Sequence, residues 1–305
     1  MKRIIKSLAA VALFAAAFAA HAQTVVTGSY ITIAAPGSYV LGGNAYTVTI
    51  TASNVTLDLG GYTVASSHTC NLINNGASQG CTCTVANCNS STPGIKATGN
   101  NIAIRHGRVE HQFGDGISIV SPTGYGLVNA VVEDVTVDNN SGNGVAISGS
   151  GAELRNVRSY QNGHDGIALY GDNTRLEHVT ASYNNGDGVD GASGAGNYSD
   201  VFTSWNKGYG MIGNGNLARI EAKYNAMAGI LPQGTLREST AEYNVGDGVL
   251  ANQYGVVLDS AATGNSGNGF SFGAHTCYAH LASNSNTVGA VAGGVAMTGS
   301  VTSCN

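Results

Sequence analysis

One pattern recurs down most of this chain: an asparagine, three turn residues, a glycine, then an apolar residue that opens a strand. Its copies run from Asn140 to Gly144, Asn162 to Gly166, Asn184 to Gly188, Asn206 to Gly210, Asn225 to Gly229, Asn244 to Gly248 and Asn265 to Gly269. Gln112 to Gly116 is a weaker first copy. The glycines are followed by Ile117, Val145, Ile167, Val189, Met211, Ile230, Val249 and Phe270. They step forward by 28, 22, 22, 22, 19, 19 and 21 residues, and self-similarity at a period of about 20 residues marks a solenoid in which one repeat is one coil.

Ahead of each asparagine lies a second strand whose alternate positions are apolar or small, as in Val157 and Ser159, Val179 and Ala181, or Ile220 and Ala222. That is the period-two pattern of a half-buried strand. Such a coil cannot bury its apolar side alone, so copies must stack with strands in parallel, roughly 4.8 Å apart. The spacing assigns a structural role to Asn140, Asn162, Asn184, Asn206, Asn225, Asn244 and Asn265: amides stacked at that distance donate and accept along a ladder. The glycine four residues on supplies either a positive φ or a close backbone approach.

Met1 to Ala22 reads as a signal peptide. Lys2, Arg3 and Lys6 precede an apolar run from Leu8 to Ala20, and Ala20-His-Ala22 has small residues where signal peptidase cuts. A run of roughly 13 apolar residues falls short of the ~20 that span a membrane, so the expectation is export to the periplasm or beyond, with no transmembrane segment. Cleavage removes three of the 13 Lys and Arg and none of the 18 Asp and Glu. A mature chain that acidic does not suit a nucleic-acid partner, whose phosphates call for a basic stripe.

Residues 23–50 are expected to form an N-terminal β cap, residues 51–290 the solenoid, and 291–305 a C-terminal cap or tail. A Cys-rich insertion, 66–93, interrupts the early coils. Cys70, Cys81, Cys83 and Cys88 lie in it, and Cys277 and Cys304 lie near the end. Six cysteines in an exported chain read as disulfides, two bridges in the insertion and Cys277 with Cys304; a metal site from His68 and the four insertion cysteines is the alternative.

The Asn-x-x-x-Gly-apolar corners with their alternating strands, over roughly residues 50 to 290, resemble the parallel β-helix superfamily, the pectate-lyase-like fold with PbH1-type repeats. The resemblance implies an all-β, right-handed parallel β-helix of roughly ten coils, in keeping with the right-handed bias of parallel crossovers. It also implies exported proteins that act on polysaccharides as lyases, hydrolases or epimerases, or non-catalytic stalks and adhesion solenoids. The Asn-Thr-Asp, Asp-Asp, Gly-His-Gly and Arg-Ile-Lys motifs of polygalacturonases are absent, as is the Asp-Pro-His-Asp motif of mannuronan epimerases; Gly163-His164-Asp165 shares only the His-Asp pair. No catalytic residue is carried over, and turnover stays open.

Chemistry singles out two clusters. Asp165 and Asp187 precede corner glycines in consecutive coils, so their carboxylates should stack about 5 Å apart, with His164 and Asp190 beside them. Such a pair either shares a proton or binds a hard cation such as Ca²⁺, and the spacing is also that of a retaining glycosidase pair; no cofactor is otherwise required. The competing account is turn chemistry, because Asp115, Asn143, Asp247 and Asn268 occupy the same position. The second cluster is the outward face of the strand before the corner. Arg158, Tyr160, Phe202 and Lys223, with His178 nearby, offer rings and cations to a polysaccharide; the alternative is an ordinary solvated sheet. Function at this level is polysaccharide binding or processing, or a purely structural solenoid.

Overall fold

The computed structural model describes residues 23–66, 71–72, 81–82, 92–124, 126–251 and 255–297. These are all-β, with no helix, wound into a parallel β-helix of about 10 turns. Each coil carries short strands on three faces. In the coil after Gly166 the first face is Ile167–Tyr170, and Thr174–Ser182 supplies both the second and the third, bending between them. Equivalent strands pair in parallel with the coils on either side: Ile167 with Val145 and Val189, Leu176 with Leu154 and Tyr198, Ala181 with Ser159 and Thr203. Residues 23–50 join the same stack, since Thr24–Val26 pairs with Gly37–Leu41 and Tyr30–Ile33 with Thr47–Ile50. At the other end Gly289–Ala296 pairs with Asn268–Ala279. Asn71 and Leu72 pair antiparallel with Thr82 and Cys81; the remainder of the 66–93 insertion's disulfide and metal expectations, and the signal peptide, lie outside the described residues. Cys277 is fully buried and not a free thiol, and its expected partner, Cys304, also lies outside them.

The core is a set of columns running along the axis. All eight residues that follow the corner glycines are fully buried, each contributing roughly 1.5–3 kcal/mol of apolar burial. Alternation on the third face is as the sequence reads: Val157, Ser159, Val179, Ala181, Ile220 and Ala222 point inward.

The corner is built differently from one of its two expected forms. The corner glycines do not have positive φ; the left-handed residue is the one just before each asparagine, at Asn139, Gln161, Tyr183, Trp205, Tyr224 and Tyr243. Glycine is needed for close approach instead. A Cβ on Gly166 would lie 2.6 Å from Asn184 Nδ2 and 2.6 Å from the Gly188 carbonyl oxygen. The bend between the second and third faces is also left-handed, at residues such as His106, Asp134, His178, Asp200 and Arg219, each at roughly 1–2 kcal/mol of backbone cost that the stack on either side must offset.

Candidate functional site

The asparagine ladder is continuous and buried. Asn162 Nδ2 and the Asn162 N–H both donate to Asn184 Oδ1, at 3.0 and 3.1 Å, and the same pair of bonds links Asn184 to Asn206 and Asn206 to Asn225. The column extends past the seven asparagines at both ends, to Gln112 of the weaker first copy and to Asn286, which the repeat reading did not include. Gln112 starts the column, its N–H donating to Asn140 Oδ1 and its Nε2 reaching the carbonyls of Val64 and Glu110. Asn286 ends it, accepting from Asn265 at 2.9 Å.

Three residues on runs the aspartate column. Asp165 Oδ1 accepts the N–H of Asp187 at 2.8 Å, and Asp187 Oδ1 accepts the N–H of Tyr209 at 2.7 Å. Asp115 and Asp247 do the same for Asn143 and Asn268. The carboxylates therefore bond the next coil's backbone, not their own turn. Close packing explains why the residue before each is so often glycine: a Cβ on Gly186 would collide with Asp165 Oδ1. Burial raises the carboxyl of Asp165, partly offset by the Asp187 N–H, with Asp190 adding to the rise. Burial also pushes Asp187 up to about 6 against the Tyr209 N–H, helped by the carboxylates of Asp165 and Asp190. Asp190 stands two residues past the corner glycine on the first face, where Oδ1 accepts the Ala192 N–H. The stack thus brings Asp165, Asp187 and Asp190 into electrostatic contact. Among the described residues, however, no three His, Cys, Asp or Glu side chains gather closely enough to hold a metal ion.

His164 faces the opposite way along the axis. It opens onto a groove of about 600 Å³ at the edge between the turns and the first face, with Lys96, Phe113, Asp115, Ser118 and Asn143. Asp115 is raised by burial, opposed by its bonds to Asn143 and by the nearby imidazole. A cation, a ring, an amide, a hydroxyl, an imidazole and a carboxyl of raised pKa thus converge on one concave surface, which is the usual composition of a ligand site. The sequence signalled His164 and the Asp115 column position; Lys96, Phe113 and Ser118 carried no periodic mark.

The third-face candidates are dispersed. Arg158 is exposed, between Thr136 and Thr180 in register, and Tyr160 lies between Asp138 and Ser182. The Tyr160 hydroxyl accepts from Arg108, which also grips the fully buried Asp138 at 2.6 and 2.9 Å. Phe202 lies between Thr180 and Glu221. Lys223 is committed to Glu221 at 2.6 Å and Glu242 at 3.1 Å. His178 belongs to the bend, 4.0 Å from Glu177. Nor do the corner aromatics offer faces to a sugar. Tyr183, Trp205, Tyr224 and Tyr243 stack on one another at 6.2, 4.5 and 5.3 Å, within 4 to 13° of parallel, so they present edges to solvent.

No family model matches the chain, and no curated protein matches it. Among solved structures it is similar to the A-module of the mannuronan C-5 epimerase AlgE4 of Azotobacter vinelandii, with TM-score 0.45 and 11% identity, over 91% of this chain and 87% of that one. It is also similar to pectate lyase Pel9A, with TM-score 0.48 and 14% identity, over 90% of this chain and 68% of that one. The receptor-binding domain of the Siphovirus 9NA tailspike gives TM-score 0.48 and 11% identity, over 93% and 74%. At these identities and TM-scores none of the three lends this chain an activity, substrate or partner.

Proposed function

We propose that this protein is an exported β-helix that holds a polysaccharide along its outer surface, with the groove between Lys96 and His164 as the saccharide site. The supporting observation is the convergence on that groove of the Phe113 ring, the Lys96 ammonium, the Asn143 amide and the Asp115 carboxyl. Sugars are bound by pairing their C–H faces with rings and their hydroxyls with planar amides and carboxylates. The reading is of binding first. Processing would draw on the same wall, where a carboxyl held up by burial and an imidazole supply a proton donor and acceptor. Calcium, as a cofactor of that chemistry, would be drawn to Asp165 and Asp187.

A second reading, a structural or surface solenoid without a ligand, is favoured by a specific observation: Asp165 and Asp187 each spend an oxygen on the next coil's backbone. A panel of neutral and acidic polysaccharides separates the two. Retention of a glycan by the mature protein, lost in Lys96→Ala while the unfolding midpoint is kept, supports the groove. If no glycan is retained or cleaved, with or without Ca²⁺, the structural reading stands.

A further inference from the structure

The second face carries a different kind of hollow. In register, Glu177 is followed by Ser199, Ala218 and Arg237. Two small side chains between two long ones leave a gap spanning three coil steps, roughly 14 Å. The resulting groove, about 220 Å³, is lined by Arg175, Asn197, Ser199, Asn216, Arg219 and Arg237, with Tyr198, whose ring is buried in the core, and Ala218 completing it. Glu177 bounds the gap at one end, paired with Arg175, and no carboxylate is among the residues that line the groove itself. Three arginines at one small hollow are notable in a chain that carries only 13 Lys and Arg against 18 Asp and Glu.

The arginines are held unequally. Arg219 is clamped by Asp200 through Nε and Nη2 at 2.7 and 2.9 Å, with Glu238 3.8 Å from Nη1. Arg175 is held by Glu177 at 3.1 Å, with Glu153 at 3.9 Å. Arg237 is exposed and has no ion pair among the described residues. The floor also presents a donor. Asn216 Nδ2 donates to Asn197 Oδ1 at 3.1 Å, which leaves the Asn197 amide nitrogen directed away from that bond and free to serve an acceptor.

We propose that this hollow is an anion site, taking one negatively charged group, a carboxylate or a sulfate ester, borne on a chain-like ligand that runs along the axis. Arg237 supplies the uncommitted fork, and Arg175 and Arg219 flank it in orientations their acid partners have already set. A guanidinium meets either oxyanion with two parallel N–H bonds. The two clamped arginines contribute field more than net charge, because Glu177 and Asp200 neutralise them. The site does not rest on the saccharide groove of the first face, from which it is separated by a corner.

The test is calorimetric titration of the mature protein at low ionic strength with a carboxylated oligosaccharide, a sulfated one, their neutral counterpart and inorganic sulfate. The expected result is binding of at least one anionic probe and none of the neutral chain at this site; which arm binds identifies the group. Arg237→Ala should weaken that binding about tenfold or more, and Ala218→Glu, which fills the gap with a like charge for the ligand, should abolish it. Lys96→Ala should leave it unchanged, so that this site and the first-face groove fail separately. Unfolding midpoints serve as the folding control; should either variant unfold, Arg237→Gln replaces it. In the Lys96→Ala protein, equal binding of neutral and anionic chains, no binding of any anion, or binding indifferent to Arg237 would overturn the assignment.

Discussion

Two edges of this three-faced coil bend the chain by the same backbone device and stabilise it by opposite means. At the asparagine corner the amides are buried, uncharged and bonded from coil to coil. At the bend between the second and third faces the column is mostly exposed and made largely of ionisable side chains of both signs. His106 lies 3.1 Å from Asp58 and 3.6 Å from Asp134, Asp200 grips Arg219, and His280 meets Asp259 at 2.9 Å. A buried hydrogen bond is costly to leave half-made, whereas a solvated ion pair contributes little and is screened by salt. The first edge should therefore determine whether the coils stack, and the second only how their stability responds to the medium.

The largest effect should come from cutting the buried ladder. Asn206 donates to Ala181 O and Asn225 Oδ1, and accepts from Asn184 N and Nδ2, all between 2.9 and 3.0 Å. Asn206→Ala strands those partners and should cost about 3 kcal/mol in urea unfolding, from about 1–3 kcal/mol per unsatisfied buried group. Next comes Gly166→Ala, whose methyl would press on Asn184 Nδ2 and the Gly188 carbonyl; overpacking of this kind costs about 2 kcal/mol, and the same measurement reads it. If either variant unfolds like the parent, the ladder is not what holds the corner.

The aspartate column gives a pH-dependent version of the same contrast. Asp187 titrates at about 6 in the folded chain against about 3.9 unfolded, so the folded state favours the proton. The stability this brings is complete below about pH 4 and is lost as pH rises through about 6, on the order of 1 kcal/mol after solvent screening. Asp187→Asn keeps an oxygen for the Tyr209 N–H and stays neutral. It should raise the thermal midpoint near neutral pH, leave it unchanged in acid, and flatten the profile between. Smallest of all, Asp200→Asn on the charged edge should lower the midpoint slightly in dilute buffer, with the difference vanishing in roughly 0.5 M salt. A large, salt-independent loss there would erase the contrast between the edges.

The fold was legible because its determinants are local and repeat. Asn162, its glycine and the following Ile167 sit within six residues, and the stack multiplies them. What the repeat could not show is which residue of the corner takes the left-handed conformation, since Tyr183, Trp205 and Tyr224 at that position look like surface aromatics until they are seen stacked. The candidate site was legible only where it shares the corner's pattern, as His164 and Asp115 do. Lys96 pairs with Ser118 at a step of 22, but both lie ahead of the first asparagine corner, and the step from Ser118 to its next partner Ala146 is 28, which takes Phe113 and Ser118 out of fixed spacing with Asn143 and His164. Arg175 and Arg237 lie three coils apart, and the hollow between them is made by what is missing at Ser199 and Ala218. Side chains that matter by being short leave no motif.

The two polar columns run in opposite senses, and this makes the end of the stack a keyed template. Each asparagine offers its N–H groups to the coil that follows it, while each aspartate three residues on offers an oxygen. A newly arriving coil must bring an amide oxygen to the first position and a bare N–H to the second. Ordinary sheet edges accept almost any extended strand; this one asks a two-part question of each candidate, and a slipped register or a foreign strand answers it wrongly.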